Sequence, residues 1–247
     1  MFVDRLLATF AHLRYEVTHD VLACWFGVDR STITRAVSEV RPRLAERGCT
    51  VSPDVRLRSL ANVVDHLGAS GATGMVDGTE IRVRRPTAGR EDRDKFMARA
   101  SRTTSKHGRH RRRGPRAVVQ PSTARKPRGH HSRPPVGLVR LLADGLAVLA
   151  DAGYQGLGAQ TGGRVMTPPH RKFEKNAPNW YEEIHERQRK AHSSRRIRVE
   201  HGIAHLKNWR ALARHFGRRE HMSDTVQAVA GLLSHQQTVD LTSTGQR

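Results

Sequence analysis

Gly74-Met75-Val76-Asp77-Gly78-Thr79-Glu80-Ile81-Arg82-Val83-Arg84-Arg85 is the stretch on which the fold turns. Thr79, Ile81 and Val83 alternate with Glu80, Arg82 and Arg84, the period of a half-buried strand. Asp77 stands inside that strand pattern, where a carboxylate has to serve a purpose. A second short apolar run, Leu146-Ala147-Val148-Leu149-Ala150-Asp151, reads as a buried strand and also ends on a carboxylate. Arg164-Val165-Met166-Thr167 before Pro168-Pro169 reads as a last strand, after a loop holding Gly153, Gly156, Gly158, Gly162 and Gly163. Between these runs Gly137–Asp144 reads as helix, and Asp144 as a helix-end residue. Glu80 reads as strand surface.

Downstream, residues from about Pro178 to His205 are rich in Glu, Arg, Lys and Gln and favour one long, largely solvated helix. Glu200 lies on it, with Arg196 four residues before and Lys207 seven after, a spacing that sets all three on one face. Arg210 and Arg214 extend the basic track. A final helix is expected from a cap near Ser223, with Val226, Val229, Ala230 and Leu233 inward, and a frayed tail from 238 to 247.

Upstream, residues 1–67 read as an all-α unit. Leu6, Leu7, Phe10 and Leu13 form one apolar stripe. Thr18 caps a second helix that Gly27 ends. Asp29 or Ser31 caps a third, with Ile33, Ala36, Val37 and Val40 inward and Pro42 near its end. Two short helices about a glycine turn make a helix-turn-helix, which puts Arg30, Thr32, Thr34 and Arg35 on its DNA-facing side. A further helix fits 55–67.

Charge narrows the partner. Lys and Arg number 44 against 23 Asp and Glu, a net formal charge of +21. Such a field attracts polyanions, so nucleic acid is the expected partner. Cys24 and Cys49 form no CxxC pair, which excludes a disulfide framework and a cysteine-based zinc site. No apolar run is long enough to span a bilayer, and the amphipathic start lacks an export signature, so a cytoplasmic, nucleoid-associated protein is expected.

Residues 101–136 break the pattern. Eleven Arg and Lys, five prolines and no Asp or Glu fall here, supplying eleven of the 21 net charges. This composition predicts disorder and no strands. It is also what a shifted reading frame spells in GC-rich DNA. A basic insertion that clamps DNA is the alternative reading.

Asp77, Asp151 and Glu200 are together a donor set for two divalent ions, which activate a hydroxyl and stabilise the leaving oxygen of a phosphodiester. Magnesium suits them, with manganese as a substitute. The blocks MVDGTEIRVRRP (75–86), LADAGYQGL (149–157), TPPHRKF (167–173) and RRIRVEHGIAHLKNWR (195–210) resemble the DDE transposases of bacterial insertion sequences, in particular the group named for insertion sequence five. The resemblance, with the helix-turn-helix, spans roughly three quarters of the chain. It implies an α/β, RNase H-like catalytic core over 68–237 preceded by the all-α DNA-binding unit. Asp77, Asp151 and Glu200 would be the metal-holding triad of strand cleavage and strand transfer. Arg196, Glu200 and Lys207 fit the family's Tyr-Arg-Glu-Lys helix pattern, while Ser193 stands where that pattern has Tyr. Arg196, Lys207 and Arg210 would contact DNA, and terminal inverted repeats and a target site would be its DNA, bound by a homodimer. Without strands from 101–136 the sheet would be incomplete and the copy degenerate, impaired or inactive. The rival readings are a non-catalytic DNA-binding relic and a helix-turn-helix regulator.

Overall fold

The computed structural model describes residues 2–52, 55–83, 103–111, 117–121, 146–154, 156–170, 177–215, 217 and 219–244. The expected helix over 137–144 lies outside the described residues, and Asp144 with it.

Three helices open the chain: α1 (Phe2–Tyr15), α2 (His19–Phe26) and α3 (Arg30–Glu46). The Thr18 hydroxyl accepts the Val21 N–H, and Gly27 closes α2 in the left-handed region at φ 61°, where glycine carries no Cβ penalty. Asp29 stands at the N-cap of α3 without a side-chain hydrogen bond. Ala8, Leu22, Ala23, Ile33 and Val37 form the small core that fixes the α2–α3 turn.

Helix α3 does not end at Pro42 but runs on to Glu46. Proline removes only one intrahelical donor, and the residues beyond it pack: Ala45 is buried and Leu44 lies against the same cluster. The region after α3 is not wholly helical either. Strands β1 (Cys49–Ser52) and β2 (Val55–Leu57) pair antiparallel, and α4 spans Leu60–Ala69 behind the Ser59–Asn62 capping box. Val55 and Leu57 match the helical spacing of 60–67, but the pairing of Cys49 with Leu57 claims them as strand.

The main sheet is mixed. Among the described residues its order is β5-β4-β3-β6-β7, with β8 also beside β3. Strand β3 is Gly74–Val83, β4 Thr103–Arg111, β5 Ala117–Pro121, β6 Val148–Ala150, β7 Val165–Met166 and β8 Arg214–His215. Strands β3, β4 and β5 run antiparallel, whereas β6 and β8 run parallel to β3 and β7 parallel to β6. The expectation that 101–136 contributes no strand is therefore overturned for 103–111 and 117–121. Pairing here is a main-chain matter: β4 holds register with β3 over nine residues, from Met75↔Arg111 to Val83↔Thr103. The register sets Lys106 opposite Glu80 and Arg109 opposite Asp77. Pro121 is the last residue of β5, where a missing donor is tolerated. The rest of 101–136 lies outside the described residues.

Helices cover both faces of the sheet. Val76, Val148, Ala150 and Val165 pack with Leu60, Val63, Val64 and Leu67 of α4. On the other face Ile81 packs with Leu206 at the end of the long helix α6 (Asn179–Lys207) and with Leu212 of α7 (Arg210–Ala213). That cluster also takes in Met222, Val226 and Val229 of α8 (Met222–Thr244), a helix that packs against α3 and β1 as well as the sheet side. The C-terminal helix thus continues past residue 238, where the sequence suggested a frayed tail, to Thr244. A single helical turn, α5 (Leu157–Gln160), joins β6 to β7.

Candidate active site

Strands β3 and β6 set the first two carboxylates. They are parallel and in register, with Gly74 beside Val148, Met75 beside Leu149 and Val76 beside Ala150. The next residue along each strand is Asp77 on one and Asp151 on the other. Adjacent strands lie about 4.8 Å apart, so the two acids emerge as neighbours at the end of β6. Side chains alternate between faces: Val76 points into the α4 core, while Asp77 and Ile81 share the opposite face. That face is the one α6 crosses.

Helix α6 supplies a cation between the acids. Arg196, Val199, Ile203 and Leu206 recur at helical spacing, with Val199 and Leu206 buried, and this stripe turns Arg196 toward the sheet. Its Nη2 lies 3.2 Å from Asp77 Oδ2 and its Nη1 3.2 Å from Asp151 Oδ1. One guanidinium therefore spans both carboxylates with its two terminal nitrogens. The Asp77 side chain is 7% exposed, that of Arg196 17% and that of Asp151 43%, so the site opens to solvent on the Asp151 side. The main-chain N–H of Ala152 also donates to Asp151 Oδ1, at 2.6 Å, and fixes that carboxylate as the chain leaves β6.

Tyr154 belongs to the same site, and the sequence reading did not single it out. It sits in the 3-10 turn Ala152–Tyr154 directly after Asp151 and packs against the α4-side core. Its phenol is pushed up to about 12, chiefly by burial and further by the negative charge of Asp77 and Asp151. The signal was present in the sequence as the Asp151-Ala-Gly-Tyr154 block.

Glu200 is placed differently. It lies one turn beyond Arg196 on α6 and is exposed, as are Lys207 and Arg210. Among the described residues no group of three or more His, Cys, Asp or Glu stands close enough to hold a metal. The structure thus brings together Asp77, Asp151 and Arg196, and does not gather Glu200 with them. The donor chemistry still fits a hard divalent ion, because two neighbouring carboxylates offer oxygens at a site open on one side.

The DNA-facing candidates of the helix-turn-helix lie in the N-terminal helices. Arg30, Thr34 and Arg35 are exposed and Thr32 is half-buried. Arg30 Nε pairs with Asp20 Oδ1 at 3.3 Å, and Arg35 donates to the Thr32 hydroxyl at 3.5 Å. The Thr34 hydroxyl donates to the Arg30 carbonyl at 3.0 Å and lies 2.9 Å from His19 Nδ1. These contacts are local and solvent-exposed, so each is weak enough to be exchanged for a phosphate. No helix among the described residues is long and apolar enough to cross a membrane.

Comparison with known proteins agrees with this layout. The family described as helix-turn-helix of DDE superfamily endonuclease matches residues 1–50, and the family described as DDE superfamily endonuclease matches residues 76–234. No curated protein and no solved structure matches the chain. The first match covers α1 to α3, and the second runs from the residue before Asp77 into α8, taking in Asp151, Arg196 and Glu200. With well over half its length matched, the chain belongs to the DDE superfamily endonucleases, joined to that superfamily's helix-turn-helix.

Proposed function

We propose that the protein is a transposase of the insertion sequence five group that cuts DNA at the ends of its element and joins them to a target. DNA is the partner that both matched regions imply. The observation that carries the reading is that Asp77, within β3, and Asp151, just past the end of the neighbouring β6, stand side by side beneath the helix that holds Arg196 and Glu200. The sheet order β5-β4-β3-β6-β7, antiparallel then parallel, supports an RNase H-like core.

In this reading Asp77 and Asp151 would hold magnesium, and Glu200, exposed one turn beyond Arg196, would complete the set only by moving toward them. The metal, when bound, supplies activation of a hydroxyl and neutralisation of the charge that develops on the phosphodiester. The protein's own residues do the rest. Ala152 N–H and the strand register fix the two carboxylates, and α4 and β6 keep one side of the site dry. Lys207, exposed at the end of the same helix, and Arg210, exposed at the start of α7, steady the DNA backbone, while Arg30, Thr32, Thr34 and Arg35 read the terminal repeats. Two copies act on paired ends.

The decisive assay is cleavage of DNA carrying the inverted repeats that flank the gene, with magnesium or manganese. Cutting by the wild type that Asp151→Asn abolishes supports the enzyme. The second reading, a DNA-binding relic, is favoured by the guanidinium that pairs with both aspartates and by the exposed position of Glu200. Repeat binding without cleavage would select it. The incomplete sheet that suggested an impaired copy no longer argues for it, because β4 pairs with β3 and β5 with β4.

A further inference from the structure

We infer that Arg196 is a resident stand-in for the divalent cation, holding the Asp77–Asp151 pair together until metal displaces it. The inference rests on the metal-binding reading above and adds a competition within the chain.

Three observations lead here. First, the two carboxylates are forced together by the backbone register, not by mutual attraction. Two like charges at neighbouring strand positions repel, and Asp77 is nearly buried, so folding without a counter-cation would be costly. Second, the group that meets this need is a planar fork whose two Nη atoms each reach a different carboxylate at 3.2 Å. Arginine suits this bridging because its donors are fixed and its charge is permanent. Third, the guanidinium engages the very carboxylates a bridging ion would need: Asp77 through Oδ2 and Asp151 through Oδ1. A cation that bridges the pair through those same two oxygens must displace the guanidinium.

The site is nonetheless built to let the arginine go. Val199 and Leu206, further along the same stripe, are buried and anchor its helix. Asp151 is 43% exposed on its side chain, which gives an ion a path to one carboxylate before the guanidinium has left the other. Long side chains such as arginine can redirect the charged head to solvent while the stem stays packed. Metal affinity in the wild type is then the intrinsic affinity reduced by the fraction of molecules in which Arg196 has swung away.

The test is calorimetric titration of the full chain with Mn2+ alone, beside thermal unfolding with and without the ion, for the wild type, Arg196→Gln, Arg196→Lys and Asp151→Asn. The expected result is a lower Tm for metal-free Arg196→Gln, a larger Tm gain on adding Mn2+, and binding about tenfold tighter than the wild type. Arg196→Lys, which keeps the charge but loses the fork, should fall between them and serves if the glutamine variant fails to fold. Equal or weaker binding by the Arg196 variants overturns the inference while leaving the metal site intact, since Arg196 would then be a plain structural clamp. No Asp151-dependent binding in any variant overturns the metal reading itself, and the stand-in with it.

Discussion

The main-chain N–H of Thr50 donates to the hydroxyl of Ser234 at 2.9 Å, and that hydroxyl donates in turn to the carbonyl of Gly231 at 2.8 Å. Both residues are buried. A strand that follows the helix-turn-helix is thereby tied to the last helix of the chain, which explains why β1 and α8 pack as one unit. Ser234→Ala would bury an unpaired N–H and should cost about 1–3 kcal/mol. Urea unfolding checks it: a midpoint unchanged from the wild type would mean that Thr50 finds another acceptor.

Two glycines with the same backbone sign should respond differently to alanine. Gly27 and Gly48 sit at φ 61° and φ 73°, both left-handed. A Cβ on Gly27 would meet nothing within 4 Å, whereas one on Gly48 would fall 2.5 Å from the Leu57 carbonyl oxygen and 3.0 Å from the Arg58 Cα. Gly27→Ala should cost only the left-handed penalty, about 1–2 kcal/mol. Gly48→Ala adds a backbone clash and should cost about 3–4 kcal/mol in total. Thermal unfolding of the pair gives the order, and a Gly27 variant as unstable as the Gly48 one would refute it.

What could be read from the sequence follows how local each signal is. Asp77 and Asp151 were legible because apolar alternation and a short buried run placed them on strands, and those strands exist. The long helix was legible from composition alone. The β1–β2 hairpin was not, since Val55 and Leu57 also continue the helical spacing of 60–67 and only pairing with 49–52 decides between them. Strands β4 and β5 were hidden for a related reason: side-chain propensity opposed them, and the main-chain ladder to β3 is invisible in a sequence. The Arg196 bridge joins residues from three distant segments. Helical spacing put Arg196 beside Glu200, but only the folded sheet puts it between Asp77 and Asp151.

DNA binding should separate the helix-turn-helix from the acidic site. Arg30 and Arg35 are exposed and held only by weak surface contacts. If each meets a phosphate, Arg30→Ala and Arg35→Ala should each weaken repeat binding and lower the salt slope by about 1. Asp77→Asn should leave that slope unchanged, because the buried aspartate faces Arg196 and not the recognition helix. Titrations at several salt concentrations decide this. A slope untouched by both arginine variants would remove α3 from the interface.

The half-buried phenol of Tyr154 makes the fold sensitive to alkali. A tyrosine ordinarily ionises near 10, but burial first, and the Asp77 and Asp151 charges second, push Tyr154 up to about 12. Below the unfolded value the proton is bound in both states and the full stability is present. Above it the unfolded chain releases the proton while the folded chain keeps it, so stability falls as pH rises from 10 toward 12. Cys49, pushed from 9.0 up to about 12 by burial, adds a decline of the same sign that starts lower. Tyr154→Phe should therefore make the decline between about pH 10 and 12 shallower and leave the Cys49 part, which begins near 9 and continues to about 12. Urea midpoints across this range, with the tyrosinate absorbance followed in parallel, read both parts. If the phenylalanine variant loses stability along the wild-type curve, and the late-rising absorbance persists in it, Tyr154 is not the half-buried acid beside the two carboxylates.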